Sequence, residues 1–375
     1  MNTRHLGVLR RLLSLPTAPF HEQAVWAFLI DWAARRGFTL RRDRAGNLLV
    51  SLPGRRRRGP RWVFAAHMDH PGFVVDSQQG QVVQARFLGS VQKRYFAGSR
   101  VRLLIGPKEV PARVLSARSV EKKPWLACRL ELIKEGRQGG RRPPWPPQAP
   151  PGTLGCWDFP AVKITGKRVR ARGCDDLVGV AAAVCAMEEI ARRHPAAPVA
   201  ALFTRAEEAG LVGALEACRL GSLPRRSLII ALETSKAGPQ AQLGQGVVLR
   251  AGDRAMTWDA GLLMHLDSLA GRLALRDRRF RYVRALMSGG VCESSAYSAR
   301  GYRAAGLCLP LGNYHNQGKR SRPAPEVIHL DDFAAMVELL VAVAGEGASP
   351  AAARRFSRRL GQVLRSRGKF LYQKL

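Results

Sequence analysis

The sequence predicts an α/β fold with a small β module inserted into it, and three observations carry that reading. Helix-period and strand-type segments alternate near the start of the chain and again after Gly173. Between about Asp76 and Pro160, short alternating strands follow one another without helices, which argues for a module of its own. The apolar run Trp62-Val63-Phe64-Ala65-Ala66 ends directly on His67, and the carboxyl ends of strands are where open α/β sheets place ligand chemistry.

The elements follow in order. LGVLRRLLSL and HEQAVWAFLIDWAARRGF carry apolar residues at helical spacing and predict two helices, the second ending at Gly37. FTLRRDRAGNLLVSLPG reads as strand, turn at Ala45-Gly46-Asn47, and strand, and Val63 to Ala66 as a central strand. The inserted module is expected over 77–160, with QVVQARF, RVRLLI, VPARVLS and WLACRLELI as strands and the proline-rich RRPPWPPQAPPG as a loop or return linker. The α/β alternation then resumes: helix DLVGVAAAVCAMEEIARRH, strand VAALFT, helix EEAGLVGALEAC, strand SLIIALE, strand AAGLCLPL and helix LDDFAAMVELLVAVAGE. Residues 1–76 and 161–346 thus form the main domain. A basic tail over 347–375 shows helical spacing at Phe356, Leu360, Val363 and Leu364.

Composition narrows the function classes. A 375-residue chain that is 46% hydrophobic can bury a sizeable core, so disorder is excluded as the default. Apolar runs stay below the ~18 residues of a membrane span, and Arg10 and Arg11 interrupt the first leucine-rich segment, so neither a membrane protein nor a signal peptide is expected. The seven cysteines are scattered and form no CxxC pair, which points to reduced thiols and a cytoplasmic location. A net charge of +33 permits contact with nucleic acid or an anionic surface. The arginines are spread along the chain, at Arg55 to Arg58, Arg141 and Arg142, and the tail from Arg354, and no nucleic-acid motif accompanies them. Drift toward arginine explains that spread as well as a binding face does.

Polar clusters end the strands in AHMDH, GCDDLVG, TRAEEAG, ALETS and GNYHN. Singly, each has an ordinary reading: a strand-end His is structural, and a carboxylate pair at a helix start answers the helix dipole. Together they place two His and three carboxylates at strand ends, where desolvation demands compensation. That set suits two divalent ions, with one carboxylate bridging and one His on each.

In order and wording these segments resemble the deblocking or glutamyl aminopeptidases that build tetrahedral particles, and more loosely the cocatalytic zinc aminopeptidases and carboxypeptidases. The resemblance covers most of 1–345. It implies a mixed central sheet with helices on both faces, and metal ligands at His67, Asp175 (bridging), Glu208, Glu233 and His315. Glu207 becomes the general base toward a metal-activated water, and Asp69 the carboxylate that orients His67. The implied cofactors are two divalent ions per chain, zinc first, with cobalt and manganese also tolerated. Peptide is the implied substrate, and the insert matches a dimerisation module, so a homo-oligomer from dimer to dodecamer is expected. The sequence departs from the family at Glu233, where these aminopeptidases usually carry Asp and related carboxypeptidases and deacylases carry Glu. It departs again at His70, Leu177 and Cys292-Glu293. Glu293 reads equally as a ligand for a substrate amino group and as a helix-start carboxylate, while His70, His265 and His329 read as surface or core residues. Two alternatives to an aminopeptidase stay open: a carboxypeptidase or N-acyl amino acid deacylase, and an inactive binding protein that uses its basic surface.

Overall fold

In a computed structural model, which describes residues 2–53, 61–134, 145–345 and 351–367, a mixed eight-stranded sheet forms the main body. Arg55 to Arg58, Arg141 and Arg142, and the side chain of Arg354 lie outside the described residues. The strand order is Thr39–Arg42, Leu48–Ser51, Val199–Thr204, Trp62–His67, Leu228–Lys236, Arg303–Leu311, Val247–Gly252, Tyr282–Leu286. Its central strands are parallel: Trp62–His67 pairs with Val199–Thr204 on one side and Leu228–Lys236 on the other, and the latter pairs with Arg303–Leu311. All of Trp62–His67 is buried, as expected of a parallel strand covered on both faces. Its chain direction therefore delivers His67 to the same edge as Thr204 and Glu233.

Helices cover both faces. Leu177–Arg193, buried over its first eleven residues, packs with Thr3–Leu13 and Leu330–Gly345 into one continuous core with the sheet. It starts at Asp176, whose Oδ1 accepts the Gly179 N–H at 3.1 Å. Only glycine fits there, because a Cβ at 179 would lie 2.2 Å from Asp176 Oδ2. Helix Val212–Arg219 begins later than EEAGLVGALEAC suggested. The backbone explains the delay: Ala206 (φ 51°), Gly210 (φ 110°) and Leu211 (φ 61°) are left-handed, so Glu207 and Glu208 stand in a turn ahead of the helix. A helix absent from the sequence reading, Ala260–Arg276, is capped by Asp259, whose Oδ1 accepts the Leu262 N–H at 2.7 Å.

Six strands between Gly72 and Trp157 close into an antiparallel barrel around Phe73, Phe87, Phe96 and Trp157, whose rings meet at 4.8 to 6.0 Å. Closure removes exposed strand edges, so this small core can stand beside the main one. A three-stranded sheet joins Val162–Thr165 and Arg168–Ala171, which follow the barrel in the chain, to Glu326–His329. The last described helix, Ala351–Arg367, packs on Ala260–Arg276, and leaves Phe356, Leu360 and Leu364 exposed. Among the described residues, no helix is long and apolar enough to cross a membrane. All seven cysteines are free.

Candidate metal centre

The groups at the site are supplied by central strands and by the turns between elements. His67 closes its strand and Glu233 lies within Leu228–Lys236, while Asp175 precedes the Leu177–Arg193 helix; all three are buried. Ligand atoms of His67, Asp175 and Glu233 fall within 4.8 Å of one another, and so do those of Asp175, Glu208 and His315. Asp175 belongs to both groups. His67 Nε2 is 3.4 Å from Asp175 Oδ1 and 3.9 Å from Glu233 Oε2. His315 Nε2 is 2.9 Å from Glu208 Oε1 and 3.6 Å from Asp175 Oδ2.

A second layer holds these groups. Asp69 accepts the Glu207 N–H at Oδ1 (2.9 Å) and the Glu208 N–H at Oδ2 (3.0 Å), and its Oδ1 lies 3.4 Å from His67 Nδ1. One carboxylate therefore fixes both the imidazole and the carboxylate pair. Glu326 was not singled out from the sequence, yet it accepts the Cys174 and Asp175 N–H groups at Oε2 (2.6 and 3.0 Å) and the His315 N–H at Oε1 (2.8 Å). His70, expected in a surface or core role, spans the Asp175 carbonyl (2.5 Å from Nδ1) and Asn316 Oδ1 (3.2 Å from Nε2) directly behind the site. From the barrel side, the Ser90 carbonyl accepts from His315 Nδ1 at 2.8 Å, which turns Nε2 toward Asp175 and Glu208. On the other flank, Glu22 accepts the Ala206 N–H (3.0 Å) and binds Arg205 Nε (2.7 Å), and Asn47 Oδ1 accepts the Arg205 N–H (3.1 Å). These contacts set the left-handed turn that presents Glu207 and Glu208.

The electrostatics describe a site with charge to compensate. Burial acts to lower the His67 pKa, but the Asp175 and Asp69 carboxylates overcome it and hold the imidazole well above its ordinary value. His315 is raised likewise, burial being outweighed by Glu208 and Asp175. Asp175 is held below the carboxylate range, since His315 and His67 outweigh its burial. Burial raises Glu207 well above its usual value, and Glu233, Glu208 and Asp69 add to it against His67. Glu233 is pushed up to about 8, first by burial and then by Asp175. Asp175 Oδ1 and Glu233 Oε1 are buried without a hydrogen-bond partner. An unsatisfied buried acceptor of this kind costs about 1–3 kcal/mol, more when charged. Two imidazole nitrogens and three carboxylates converging with orphaned oxygens fit divalent cations.

The site opens into a cleft of about 920 Å³ whose walls include His67, Glu207, Glu233, Arg250, Cys292 and His315. Glu293, which the sequence offers as a ligand for a substrate amino group or as a helix-start carboxylate, follows Cys292 of the cleft wall. It is the first residue of the helix Glu293–Ala299, 1% exposed, with Tyr297 Oη 3.4 Å from its Oε2, and burial pushes its pKa up to about 7. His265 is buried and stacked on Trp62, with ring centroids 5.6 Å apart. His329 ends the strand Glu326–His329 and belongs to neither metal-type group.

Comparison with known proteins agrees with this architecture. A family model described as M42 glutamyl aminopeptidase matches residues 148–339. A Deinococcus radiodurans protein named [LysW]-lysine hydrolase is 37% identical over 113 residues, a stretch covering 29% of this chain and only 29% of that relative. Among solved structures, the TET1 peptidase of Pyrococcus horikoshii superposes with a TM-score of 0.69 at 20% identity, covering 91% of this chain and 99% of that one. An aminopeptidase of Desulfurococcus kamchatkensis gives a TM-score of 0.69 at 19% identity, covering 92% and 95%. At such identities the structures speak for the fold.

Proposed function

The chain belongs to the M42 glutamyl aminopeptidase family, and from that premise we propose that it is a dinuclear metal-dependent aminopeptidase that releases N-terminal residues from peptides. The observation that carries this reading is the sharing of Asp175 by two ligand groups that line the same cleft as Glu207. His67 and Glu233 would hold one ion and His315 and Glu208 the other, with Asp175 common to both. Divalent ions supply a Lewis acid for the scissile carbonyl and lower the pKa of water. The chain supplies the rest. Glu207, with Oε2 4.0 Å from His67 Nε2, accepts the proton of the attacking water and returns it to the leaving amine. Asp69 keeps His67 oriented through its Nδ1 and Glu207 aimed, because its two oxygens accept the Glu207 and Glu208 N–H groups. Zinc is the first choice, and cobalt and manganese suit the same mixed donors.

The division of labour follows the chain. Residues 1–76 and 161–346 carry the chemistry, 77–160 serve self-association or the cleft mouth, and 347–375 stand outside catalysis. A homo-oligomer is part of this reading; the Pyrococcus horikoshii relative is described as assembling into a tetrahedron or a large octahedral shell. The free thiols suit a cytoplasmic location. A second reading, hydrolysis at a carboxyl terminus or of an N-acyl group, draws on Glu233 and on the matched stretch of the lysine hydrolase.

Metal analysis of purified, chelated and reconstituted protein, assayed on aminoacyl, carboxyl-terminal and N-acyl substrates, tests the proposal. Up to two ions per chain, loss of activity on chelation, recovery on readdition and selective aminoacyl hydrolysis are expected. An active metal-free protein would sink it.

A further inference from the structure

The terminal helix Ala351–Arg367 carries an apolar side that the described residues leave uncovered. Phe356, Leu360, Val363 and Leu364 are spaced i, i+4, i+7 and i+8, which sets them on one stripe of the helix. Each is between 43% and 68% exposed, and together they are four of the ten large apolar residues exposed among the described residues. Single apolar residues at a surface are ordinary, whereas a contiguous stripe marks a contact. From Arg355 to Arg367 every residue but Gly361 is exposed, so the helix rests on Ala260–Arg276 without burying this side. Arg355 Nη2 reaches Ser268 Oγ of that supporting helix at 3.4 Å. A helix of 17 residues is marginal in water unless an apolar face is buried.

The charge of the helix says what covers the stripe. Arg355, Arg358, Arg359 and Arg365 fall outside it, Arg367 closes its end, and no acidic residue occurs anywhere in 347–375. At the end of the supporting helix, Leu275 is 88% exposed and stands beside Arg276. A second copy of the terminal helix would set unanswered arginines against one another. Nucleic acid would use the arginines and leave the stripe in water. An anionic bilayer surface answers both features, because the stripe enters the acyl boundary while the arginine stems carry their guanidinium groups up to the headgroups.

We propose that Ala351–Arg367 docks the protein on an anionic lipid surface, lying in the plane of the membrane with Phe356, Leu360, Val363 and Leu364 inserted. The contact is peripheral, since no described helix is long and apolar enough to cross a membrane. It uses none of the metal groups, so it stands apart from the hydrolase reading.

The experiment sediments the full chain with vesicles of phosphatidylcholine alone and of phosphatidylcholine mixed with phosphatidylserine. The mixed vesicles are expected to bind it at least about tenfold more tightly, and the difference should shrink as salt is raised. Leu360→Gln together with Leu364→Gln keeps every charge and the helix propensity, and should weaken binding to the mixed vesicles by at least about tenfold. Arg358→Gln together with Arg359→Gln keeps the stripe and should bring the two vesicle types closer together. All four positions are exposed, so circular dichroism and thermal unfolding should match wild type; truncation before Ala351 gives a second route to the same loss of binding. Equal affinity for neutral and mixed vesicles would overturn the proposal. Binding that survives intact in the leucine pair would overturn it too, because the general basic surface would then suffice. If the leucine pair instead changed oligomer size, or the binding of a polyuridylate probe, with no vesicle binding in wild type, the stripe would belong to a second copy or to nucleic acid and the proposal would fall.

Discussion

The two halves of the proposed metal centre are built by different means. His67, Asp175 and Glu233 stand on or beside the most deeply packed part of the sheet, where strand register alone fixes the first and last of them. His315 and Glu208 stand on irregular backbone. His315 is left-handed at φ 51° between Asn313 (φ 56°) and Asn316 (φ 59°), and Glu208 follows the left-handed Ala206. Loops need fasteners that strands do not, and here they are Asp69, Glu326, Asn316 and the Ser90 carbonyl. One half is thus a product of the core, and the other of buried hydrogen bonds that span separate elements. The core half should bind its ion more tightly and the fastened half should be the more easily lost.

The largest expected effect crosses both halves. Glu207→Gln keeps the shape of the side chain and its backbone bond to Asp69 but cannot accept a proton. Turnover should fall by about 10²- to 10⁴-fold with the metal content of both halves unchanged. Steady-state kinetics beside metal analysis checks this, and full turnover would remove Glu207 from the mechanism. Glu208→Gln should act on the fastened half only. One ion should be held more weakly, and added metal should restore part of the activity. Simultaneous loss of both ions would contradict the division.

Glu326→Gln sharpens the comparison without touching a ligand. Glu326 accepts three backbone N–H groups, and an amide NH₂ cannot accept. We expect affinity for the second ion to fall by about 10- to 100-fold, the range typical of outer-layer partners of a metal site. Stability should drop by about 1–3 kcal/mol for the N–H left unpaired. Denaturant unfolding of the metal-free protein separates the two effects. The smallest expected effect belongs to the terminal helix: truncation before Ala351 should leave turnover at saturating substrate unchanged, because the metal groups lie elsewhere in the chain. Loss of catalysis with folding intact would mean that the helix reaches the cleft.

What the sequence disclosed follows the same line. Residues at strand ends were legible, because a buried apolar run that stops on His67 or Glu233 signals desolvated chemistry in one dimension. Asp175, Glu208 and His315, the other proposed ligands, stood out through their short motifs. Glu326 and His70 were not, since their role depends on which backbone amides and carbonyls the fold brings to them, and Glu326 is more than 140 residues from the Cys174 and Asp175 N–H groups it holds. The Ala260–Arg276 helix had a readable signal in Asp259 followed by Leu262, Leu266 and Leu269, the buried face of that helix. The start of the helix after Glu208 was hidden, because a strained turn at Ala206 and Leu211 has no mark in residue type beyond Gly210. Arg250 read as one arginine among many; only burial with an unpartnered Nε distinguishes it.

The most direct test is a calorimetric zinc titration of the metal-free protein, run for wild type, Glu208→Gln and Glu207→Gln together. The account predicts two ions of unequal affinity in wild type, loss or weakening of the weaker one alone in Glu208→Gln, and an unaltered pair in Glu207→Gln. A single ion in wild type, or equal losses in the two variants, would contradict a dinuclear centre that shares Asp175.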